Sequence, residues 1–262
     1  MCMHLTKMQG LGNDYLYHYG EVENPAELSI KWADRHFGIG SDGLILIQDS
    51  EVADFKMRIF NADGSEAMMC GNGIRCVGKF VYDKGYTSKT TLDIETLSGI
   101  RRLKLDVKDG LVQQATVEMG EAVVEDAVTL TALEKEVSCV PVSVGNPHCI
   151  VFCDDADNAP LCTIGAALEK HEHFPQGVNV EFVQIIDRHR IRMRVWERGS
   201  GITMACGTGA CASAAAAVKA GFCDSPLIVR LDGGELNIEI LPDGSARMTG
   251  PAVTVAECEV ED

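Results

Sequence analysis

Two stretches of the chain share one pattern and decide the fold: CGNGIRCVGKFVYDKG at positions 70–85 and CGTGACASAAAAVKAG at positions 206–221. Each begins with Cys-Gly-polar-Gly, continues as a helix-like run and reaches a glycine fifteen residues after its cysteine. Upstream, Gly12-Asn13 precedes the first cysteine by nearly the same distance as Gly145-Asn146 precedes the second. Agreement at several offsets indicates an internal duplication with one cysteine in each half.

The two repeated stretches predict helices that are buried to different extents. In the first, Ile74, Val77 and Val81 recur at helical spacing with Lys79 and other charged residues between them, which predicts one buried face. The second, from Ala210 to Ala220, consists almost wholly of alanine and other small residues. A helix without a polar face is usually enclosed, so we predict burial on all sides.

Short strand-like segments with Gly or Asp-Gly turns surround both helices. Their combination predicts an α+β protein of two similar lobes related by internal duplication, each a mostly antiparallel curved sheet wrapped about a central helix. The segments are MRIFNADG (57–64), LKLDV (103–107), ATVEMG (115–120), IRMRVWERG (191–199), LNIEIL (236–241) and ARMTG (246–250).

The division between the lobes is expected near Gly120. The stretch from there to Gly145 is short, and we interpret it as a linking or surface region. The expected lobes are residues 1–119, carrying Cys70, and residues 120–249, carrying Cys206, with a final strand at about 250–262 that returns to the first lobe.

Composition and charge narrow the kinds of molecule that the protein is expected to bind. The 262 residues carry a formal charge of −16 spread along the chain, and such a surface repels phosphate backbones. The short basic run Arg188–Arg194 is typical of a half-exposed strand, so we expect a small-molecule substrate and no nucleic acid. No apolar run reaches the length of about 18 residues that spans a membrane, and the N-terminus lacks the apolar core of a secretory signal. These features favour a cytoplasmic protein without a membrane partner.

The 11 cysteines are an odd number without a C-x-x-C pair, which favours reduced thiols over a disulfide framework. Cys70 and Cys206 differ from the rest because each directly precedes a predicted helix. The others in apolar surroundings are predicted to be small core residues: Cys139, Cys149, Cys153, Cys162, Cys223 and Cys258.

A cysteine at a helix start lies beside unsatisfied N–H groups and the positive end of the helix dipole, which favour the thiolate. The glycines that follow let the backbone approach a bound carboxylate, such as that of an amino acid. Inverting a stereocentre requires one group to remove the Cα proton and another to return one on the opposite face. Two cysteine loops therefore predict a two-base racemase or epimerase with Cys70 as one partner and Cys206 as the other.

A zinc site is the alternative use of these thiols, with Cys70, Cys76, Cys206, Cys211 and His148 as ligands. The five- and four-residue gaps within each loop place the paired cysteines on different helical faces. We therefore interpret Cys76 and Cys211 as packing residues and expect no metal.

At this point the chain resembles the diaminopimelate epimerase family over nearly its whole length. The matching stretches occur in the family's order: KMQGLGNDY (7–15), RHFGIGSDG (35–43), RIFNADGSEAMMCGNGIRC (58–76), GNPHC (145–149), GVNVEF (177–182) and WERGSGITMACGTGAC (196–211). Two positions depart from the family pattern: Gly43, where many members have glutamine, and Met68, where an acidic residue is common. Both leave the cysteine loops intact, so we expect them to affect specificity or packing.

The resemblance implies interconversion of LL- and meso-2,6-diaminopimelate for lysine and peptidoglycan synthesis, without pyridoxal phosphate or metal. It implies Cys70 and Cys206 as the catalytic pair, with His148 and Glu197 helping to ionise the thiols. It leaves a homodimer open. The implied substrate contacts are Asn13, Asn61, Asn146, Asn179, Glu197 and Arg198, together with the backbone at Gly71-Asn72 and Gly207-Thr208.

Without the resemblance, most of these residues have plainer interpretations. Asn13 and Asn146 are typical of turns, and Asn61 of an Asx-turn. His148 alone favours a structural histidine, and Glu197-Arg198 a surface pair.

Three other functions remain open. A racemase of another amino acid, such as histidine, would use the same cysteines but would not need Arg198 to bind a distal carboxylate in a fork. A non-catalytic amino-acid-binding protein would not need both cysteines. A thiol-redox protein fits the reactive cysteines but not their separation of 136 residues in sequence.

Overall fold

The computed structural model describes residues 2–261. Within that range the helices are α1 (Pro25–Ala33), α2 (Gly71–Asp83), α3 (Ala166–Glu169) and α4 (Gly207–Lys219), and a π-helical turn at Leu161–Gly165 precedes α3. The strands are β1 (Cys2–Gly10), β2 (Asn13–Tyr19), β3 (Gly43–Gln48), β4 (Phe55–Asn61), β5 (Glu66–Ala67), β6 (Thr91–Thr96), β7 (Gly99–Lys108), β8 (Leu111–Glu121), β9 (Val123–Val124), β10 (Val128–Ala132), β11 (Lys135–Ser143), β12 (Pro147–Phe152), β13 (Asn179–Asp187), β14 (Arg190–Glu197), β15 (Gly201–Ile202), β16 (Leu227–Leu231), β17 (Gly234–Ile240), β18 (Ser245–Pro251) and β19 (Val253–Glu261).

The chain forms two compact units, and the first contains the residues up to Val117 and those from Gly250 onward. Its strands pair in the order β19-β1-β2-β3-β4-β6-β7-β8. The pairs β2–β3 and β4–β6 are parallel and the others antiparallel. Helix α2 packs against β1, β2 and β7. The last strand, β19, pairs with β1 and so belongs to this unit.

The second unit, Glu118–Thr249, repeats the same series of pairings. Its strands pair in the order β11-β12-β13-β14-β16-β17-β18, with β12–β13 and β14–β16 parallel and the rest antiparallel. Helix α4 follows β15 as α2 follows β5, and it packs against β12, β13, β14 and β17. The shared topology confirms the predicted fold class, because each unit has its cysteine at the start of an enclosed helix.

Helix α2 is more deeply enclosed than its sequence pattern predicted. Every residue from Gly71 to Val81 is buried, including Lys79, so the expectation of a single buried face is wrong. Lys79 is accommodated because its Nζ donates to Asp83 Oδ2 at 2.6 Å and to the Val112 carbonyl at 2.7 Å. A buried ammonium is tolerated when it is paired and hydrogen-bonded. The alanine-rich α4 is buried on all sides through Ala217, as predicted.

The stretch between Gly120 and Gly145 is not the linking or surface region that we expected. It forms β9, β10 and β11, and β10 and β11 form an antiparallel hairpin. Leu130, Ala132 and Cys139 from this hairpin are part of the core of the second unit. The alternating pattern of VTLTA and KEVSCVPVS supplies the apolar face that the core requires.

Three of the cysteines predicted to be core residues are not fully buried. Cys162 is exposed, and Cys153 and Cys258 are half-buried, whereas Cys139, Cys149 and Cys223 are buried as expected. Cys162 lies on the outer side of the π-helical turn, whose inner side packs through Leu161 and Ile164. Its apolar neighbours in sequence therefore point away from it.

The basic run at Arg188–Arg194 also differs from its prediction as a half-exposed strand. Arg192 is buried and ion-paired with Asp157 and Asp232, so its charge is neutralised internally. Among residues 2–261, no helix combines the length and apolar composition needed to cross a membrane.

Candidate active site

The first cysteine loop places Cys70 as the N-cap of α2. Its backbone is extended, at φ −135° and ψ 115°, so its sulfur turns back over the first turn of the helix. The backbone N–H of Gly73 donates to Sγ at 3.3 Å. This is the arrangement in which serine or aspartate usually caps a helix, and here the acceptor is sulfur. Gly71 and Asn72, predicted to hold the reacting carboxylate, are buried in the same turn.

Asn13 contacts Cys70 directly. The thiol donates to Asn13 Oδ1 at 3.2 Å, and Asn13 Nδ2 donates to Asp42 Oδ2 at 2.7 Å. Asp42 in turn accepts from Arg35 Nη2 at 3.0 Å. Asp42 therefore fixes which end of the Asn13 amide faces the sulfur, a role that sequence reasoning missed.

Gly43 begins β3 in a conformation that excludes a side chain. Its φ is +151°, and a Cβ there would lie 2.1 Å from the Phe60 carbonyl oxygen. β3 therefore lies close to the backbone of Asn61, with which Gly43 pairs across the sheet. A glutamine at position 43 would require a different backbone, so this departure from the family pattern concerns packing. The other departure, Met68, is exposed.

Asn61, a predicted substrate contact, closes the turn that follows β4. Its Nδ2 donates to Ser65 Oγ at 3.0 Å, and its backbone carbonyl accepts from Ser29 Oγ at 2.8 Å. These bonds hold Asn61 at the end of the strand that leads into the cysteine loop.

The second cysteine loop repeats the cap. Cys206 precedes α4 with φ −117° and ψ 111°, and the Gly209 N–H donates to its Sγ at 3.3 Å. Thr208 Oγ1 lies 3.6 Å from the same sulfur. Gly207 and Thr208 occupy the first turn of α4, as Gly71 and Asn72 do in α2.

Behind Cys206, a chain of polar side chains runs into the protein. Asn146 Nδ2 donates to Thr208 Oγ1 at 3.4 Å, and Asn146 Oδ1 lies 3.1 Å from His148 Nε2. His148 Nδ1 lies 2.7 Å from Glu181 Oε1, and the side chains of both residues are completely buried. Asn146 and His148 were predicted, whereas Glu181 was not.

The surroundings of Cys206 favour its thiol form. Burial raises the pKa of the Cys206 thiol well above its ordinary value, and the carboxylates of Glu197 and Glu181 raise it further. The contacts from Thr208 and the Gly209 N–H oppose this shift. Burial and two carboxylates therefore outweigh the helix start that led us to expect a thiolate.

Glu197 and Arg198 end β14 and are held by separate partners. Glu197 Oε1 accepts from Thr203 Oγ1 at 2.5 Å. The Arg198 backbone N–H donates to Asn179 Oδ1 at 2.8 Å, and its Nη1 donates to the Gln176 carbonyl at 3.0 Å. Arg198 is exposed, and no carboxylate within residues 3–260 forms an ion pair with it, although its charge helps to lower the pKa of Glu169. Its charge is therefore available to a ligand.

Glu169 is a third residue that sequence reasoning missed, after Asp42 and Glu181. It is buried, and it accepts from Trp196 Nε1 at 2.7 Å and from the Gly199 N–H at 2.9 Å. It thus holds the loop on both sides of Arg198. No group of three or more His, Cys, Asp or Glu side chains in the described part of the chain is arranged to bind a metal ion.

Comparison with known proteins identifies the family of this chain. The family model described as diaminopimelate epimerase matches residues 5–125 and 140–255. The chain belongs to the diaminopimelate epimerase family. It is 50% identical to a diaminopimelate epimerase of Methanococcus maripaludis over 99% of this chain and 100% of that protein. It is 49% identical to one of Acetivibrio thermocellus over 99% of each chain. The resemblance is therefore confirmed, and the chain is an epimerase, a type of isomerase.

Solved structures extend the likeness in fold beyond the diaminopimelate epimerase family. A phenazine biosynthesis protein of the PhzF family from Bacillus anthracis has a TM-score of 0.80 at 18% identity, with all of both chains covered. A hydroxyproline epimerase from Agrobacterium vitis has a TM-score of 0.75 at 17% identity, covering 99% of this chain and 92% of that one. At such identities the likeness establishes the fold alone.

Proposed function

We propose that this chain interconverts LL- and meso-2,6-diaminopimelate without a cofactor, with Cys70 and Cys206 as the two bases. The observation that carries the proposal is that each unit contains the same device, a cysteine whose sulfur caps a helix and accepts an N–H bond at 3.3 Å. A two-base inversion requires one thiolate and one thiol, reaching Cα from opposite faces. A thiolate at one helix start removes the proton while the other thiol supplies one.

The first turns of the two helices supply the support that the carbanion needs. Backbone N–H groups at Gly71-Asn72 and Gly207-Thr208 bind the reacting carboxylate, because a helix N-terminus favours an anion. Negative charge that develops next to that carboxylate is then stabilised by fixed donors. Asn13 and Asn146 contact the substrate, and Asn13 also accepts the Cys70 thiol hydrogen. His148 helps to ionise the thiols, whereas Glu197 raises the pKa of Cys206 and so opposes its ionisation.

Arg198 favours diaminopimelate over other amino acids. Its guanidinium is exposed and forms no ion pair with the described carboxylates. A planar fork of donors matches a second carboxylate, which diaminopimelate carries at its far end and histidine lacks. Asn179 fixes the backbone at Arg198, and Asn61 lies at the end of β4 as a further substrate contact.

The proposed reaction also suggests a place in metabolism. Meso-diaminopimelate serves lysine and peptidoglycan synthesis, and we propose that this chain supplies it. A cytoplasmic location stays a prediction from the sequence, and a homodimer remains open.

The test measures hydrogen exchange at Cα by NMR in deuterium oxide, with reduced protein and no added cofactor. We expect rapid deuterium incorporation into LL-diaminopimelate and none into L-histidine. Incorporation into histidine alone would indicate that the chain is a histidine racemase. No incorporation into either, with diaminopimelate still bound, would indicate a binding protein instead of an enzyme.

A further inference from the structure

Glu181 is a carboxylate buried in the core of the second unit. It lies in β13 between Val180 and Phe182, which are both core residues, and it is 0% exposed. A buried carboxylate is costly unless it is fully hydrogen-bonded. A glutamate in an apolar strand therefore requires a compensating reason.

Glu181 is only half satisfied. Oε1 lies 2.7 Å from His148 Nδ1, while Oε2 has no hydrogen-bond partner among residues 3–260. Glu169, buried in the same unit, has both oxygens bonded. A purely structural carboxylate is expected to resemble Glu169, so Glu181 retains a cost that stability alone does not explain.

The Glu181 carboxylate also lies against the first turn of α4. A Cβ at Gly209 would lie 2.5 Å from Glu181 Oε1 and 3.2 Å from Cys206 Sγ. The Glu181 oxygen and the Cys206 sulfur therefore both lie beside Gly209, where a side chain would meet them. A second connection runs through side chains, from Glu181 by way of His148, Asn146 and Thr208 to the sulfur.

We propose that Glu181 is a positioning residue for this site, one that fixes His148 through Nδ1 and keeps a buried negative charge beside Cys206. This assignment rests on the proposed function. The carboxylate accepts the Nδ1–H, so the His148 ring is oriented and its Nε2 is directed at Asn146. The negative charge opposes ionisation of Cys206, which therefore rests as the thiol and serves as the proton donor.

The carboxylates of Glu181 and Glu197 act on the Cys206 thiol, and His148 is connected to it by hydrogen bonds, each from a different strand. Glu181 lies on β13, Glu197 ends β14, and His148 on β12 reaches the sulfur through Asn146 and Thr208. Removing the Glu181 charge while keeping its shape is thus expected to ease ionisation of the thiol, and Glu197 retains its own contribution.

The test is an NMR titration of the resting protein, using the Cβ shift of isotope-labelled cysteine and the ring nitrogens of labelled histidine. The Cys206 and His148 signals are assigned by their loss in Cys206→Ser and His148→Gln. In Glu181→Gln we expect the Cys206 midpoint to fall by about one pH unit or more, and the His148 Nδ1 signal to change. Glu169→Gln is the matched control and should leave both signals in place. An unchanged Cys206 midpoint with an unchanged His148 signal in Glu181→Gln would overturn the proposal.

Glu181→Asp tests the same role of Glu181 if the glutamine variant does not fold. Its shorter side chain withdraws the carboxylate from Nδ1, so we expect a changed His148 signal and about a tenfold fall in kcat at nearly constant KM. Wild-type values for both would overturn the assignment. Because the titration needs no substrate, a shifted midpoint without exchange into diaminopimelate would reject the proposed reaction and keep the role of Glu181.

Discussion

The two cysteine loops use the same backbone but have different surroundings. Cys70 is half-buried and donates to Asn13, whose other end is held by Asp42 near the surface. Cys206 is buried, and the polar chain behind it leads inward to the His148–Glu181 pair. Duplication conserves the helix cap, while the residues around each sulfur have diverged. The comparison teaches that a symmetric scaffold can hold two chemically unequal bases.

The largest expected effect tests whether both halves are needed. Cys70→Ala and Cys206→Ala should each lower Cα exchange of diaminopimelate by at least about 10³-fold, because each removes one of two required proton carriers. Circular dichroism and thermal unfolding should show that both variants stay folded. Substantial turnover by either variant would contradict the two-base mechanism.

The second effect concerns Arg198, which lies close to the second loop in sequence. Arg198→Lys should raise the KM for diaminopimelate by about 10- to 100-fold, because an ammonium cannot bind a carboxylate in a bidentate fork. Arg194→Lys is the matched control, since Arg194 is already paired with Asp232. Equal KM values for the two variants would show that Arg198 does not bind the distal carboxylate.

The sequence predicted the features of this fold that are local. The two cysteine helices and the strands leading into them were correct because a cap, a glycine pair and an alternating strand pattern all lie within a few residues. The burial of Lys79 was not predicted, because it depends on Asp83 and the Val112 carbonyl, which only the folded chain brings to it. The hairpin that contains Leu130 was missed because no motif marked it, although its alternation was visible.

The same contrast between local and long-range features applies to the residues of the site. Of the positions taken from the family pattern, Asn13 contacts Cys70, and Asn146 and His148 form the polar chain behind Cys206. The residues that support them were not found from sequence. Asp42 and Glu169 act through pairings with distant residues, Asn13 and Trp196, which no sequence spacing reveals. Glu181 did leave a signal, a single acid in the apolar strand NVEFV. Such an acid is better treated as a candidate partner for a buried base than as a surface residue.

A smaller effect should distinguish Gly73 from Gly209, the equivalent third residues of α2 and α4. At Gly209 a Cβ would meet the Glu181 carboxylate at 2.5 Å, whereas at Gly73 it would meet the end of the Ile45 side chain at 2.8 Å. Gly209→Ala should lower kcat about tenfold by displacing the carboxylate. Gly73→Ala should lower kcat less and cost about 1–3 kcal/mol of unfolding free energy, because an aliphatic side chain can shift. Denaturant unfolding and steady-state kinetics check both, and the reverse order of kcat losses would contradict the assigned difference.

The smallest effect appears in the alkaline stability of the protein. A thiol whose folded-state pKa is raised stabilises the fold below its unfolded value, and that contribution is lost as pH rises toward the folded value. The unfolding free energy should therefore fall above pH 9.0, the ordinary value for cysteine, with Cys206 as one contributor. Cys76, whose pKa burial raises to about 11, contributes in the same range. Cys206→Ala should reduce the slope by up to about 1.4 kcal/mol per pH unit.

Urea unfolding at a series of pH values from neutral to alkaline measures that slope. Cys206→Ser is the control for shape, because it also removes the titrating sulfur and should give the same reduced slope as the alanine variant. A slope unchanged from wild type in both variants would show that burial and the two carboxylates do not hold Cys206 as a thiol. Cys70→Ala, measured in the same way, compares the two loops. An equal reduction of the slope in that variant would mean that both thiols have equally unfavourable surroundings for ionisation.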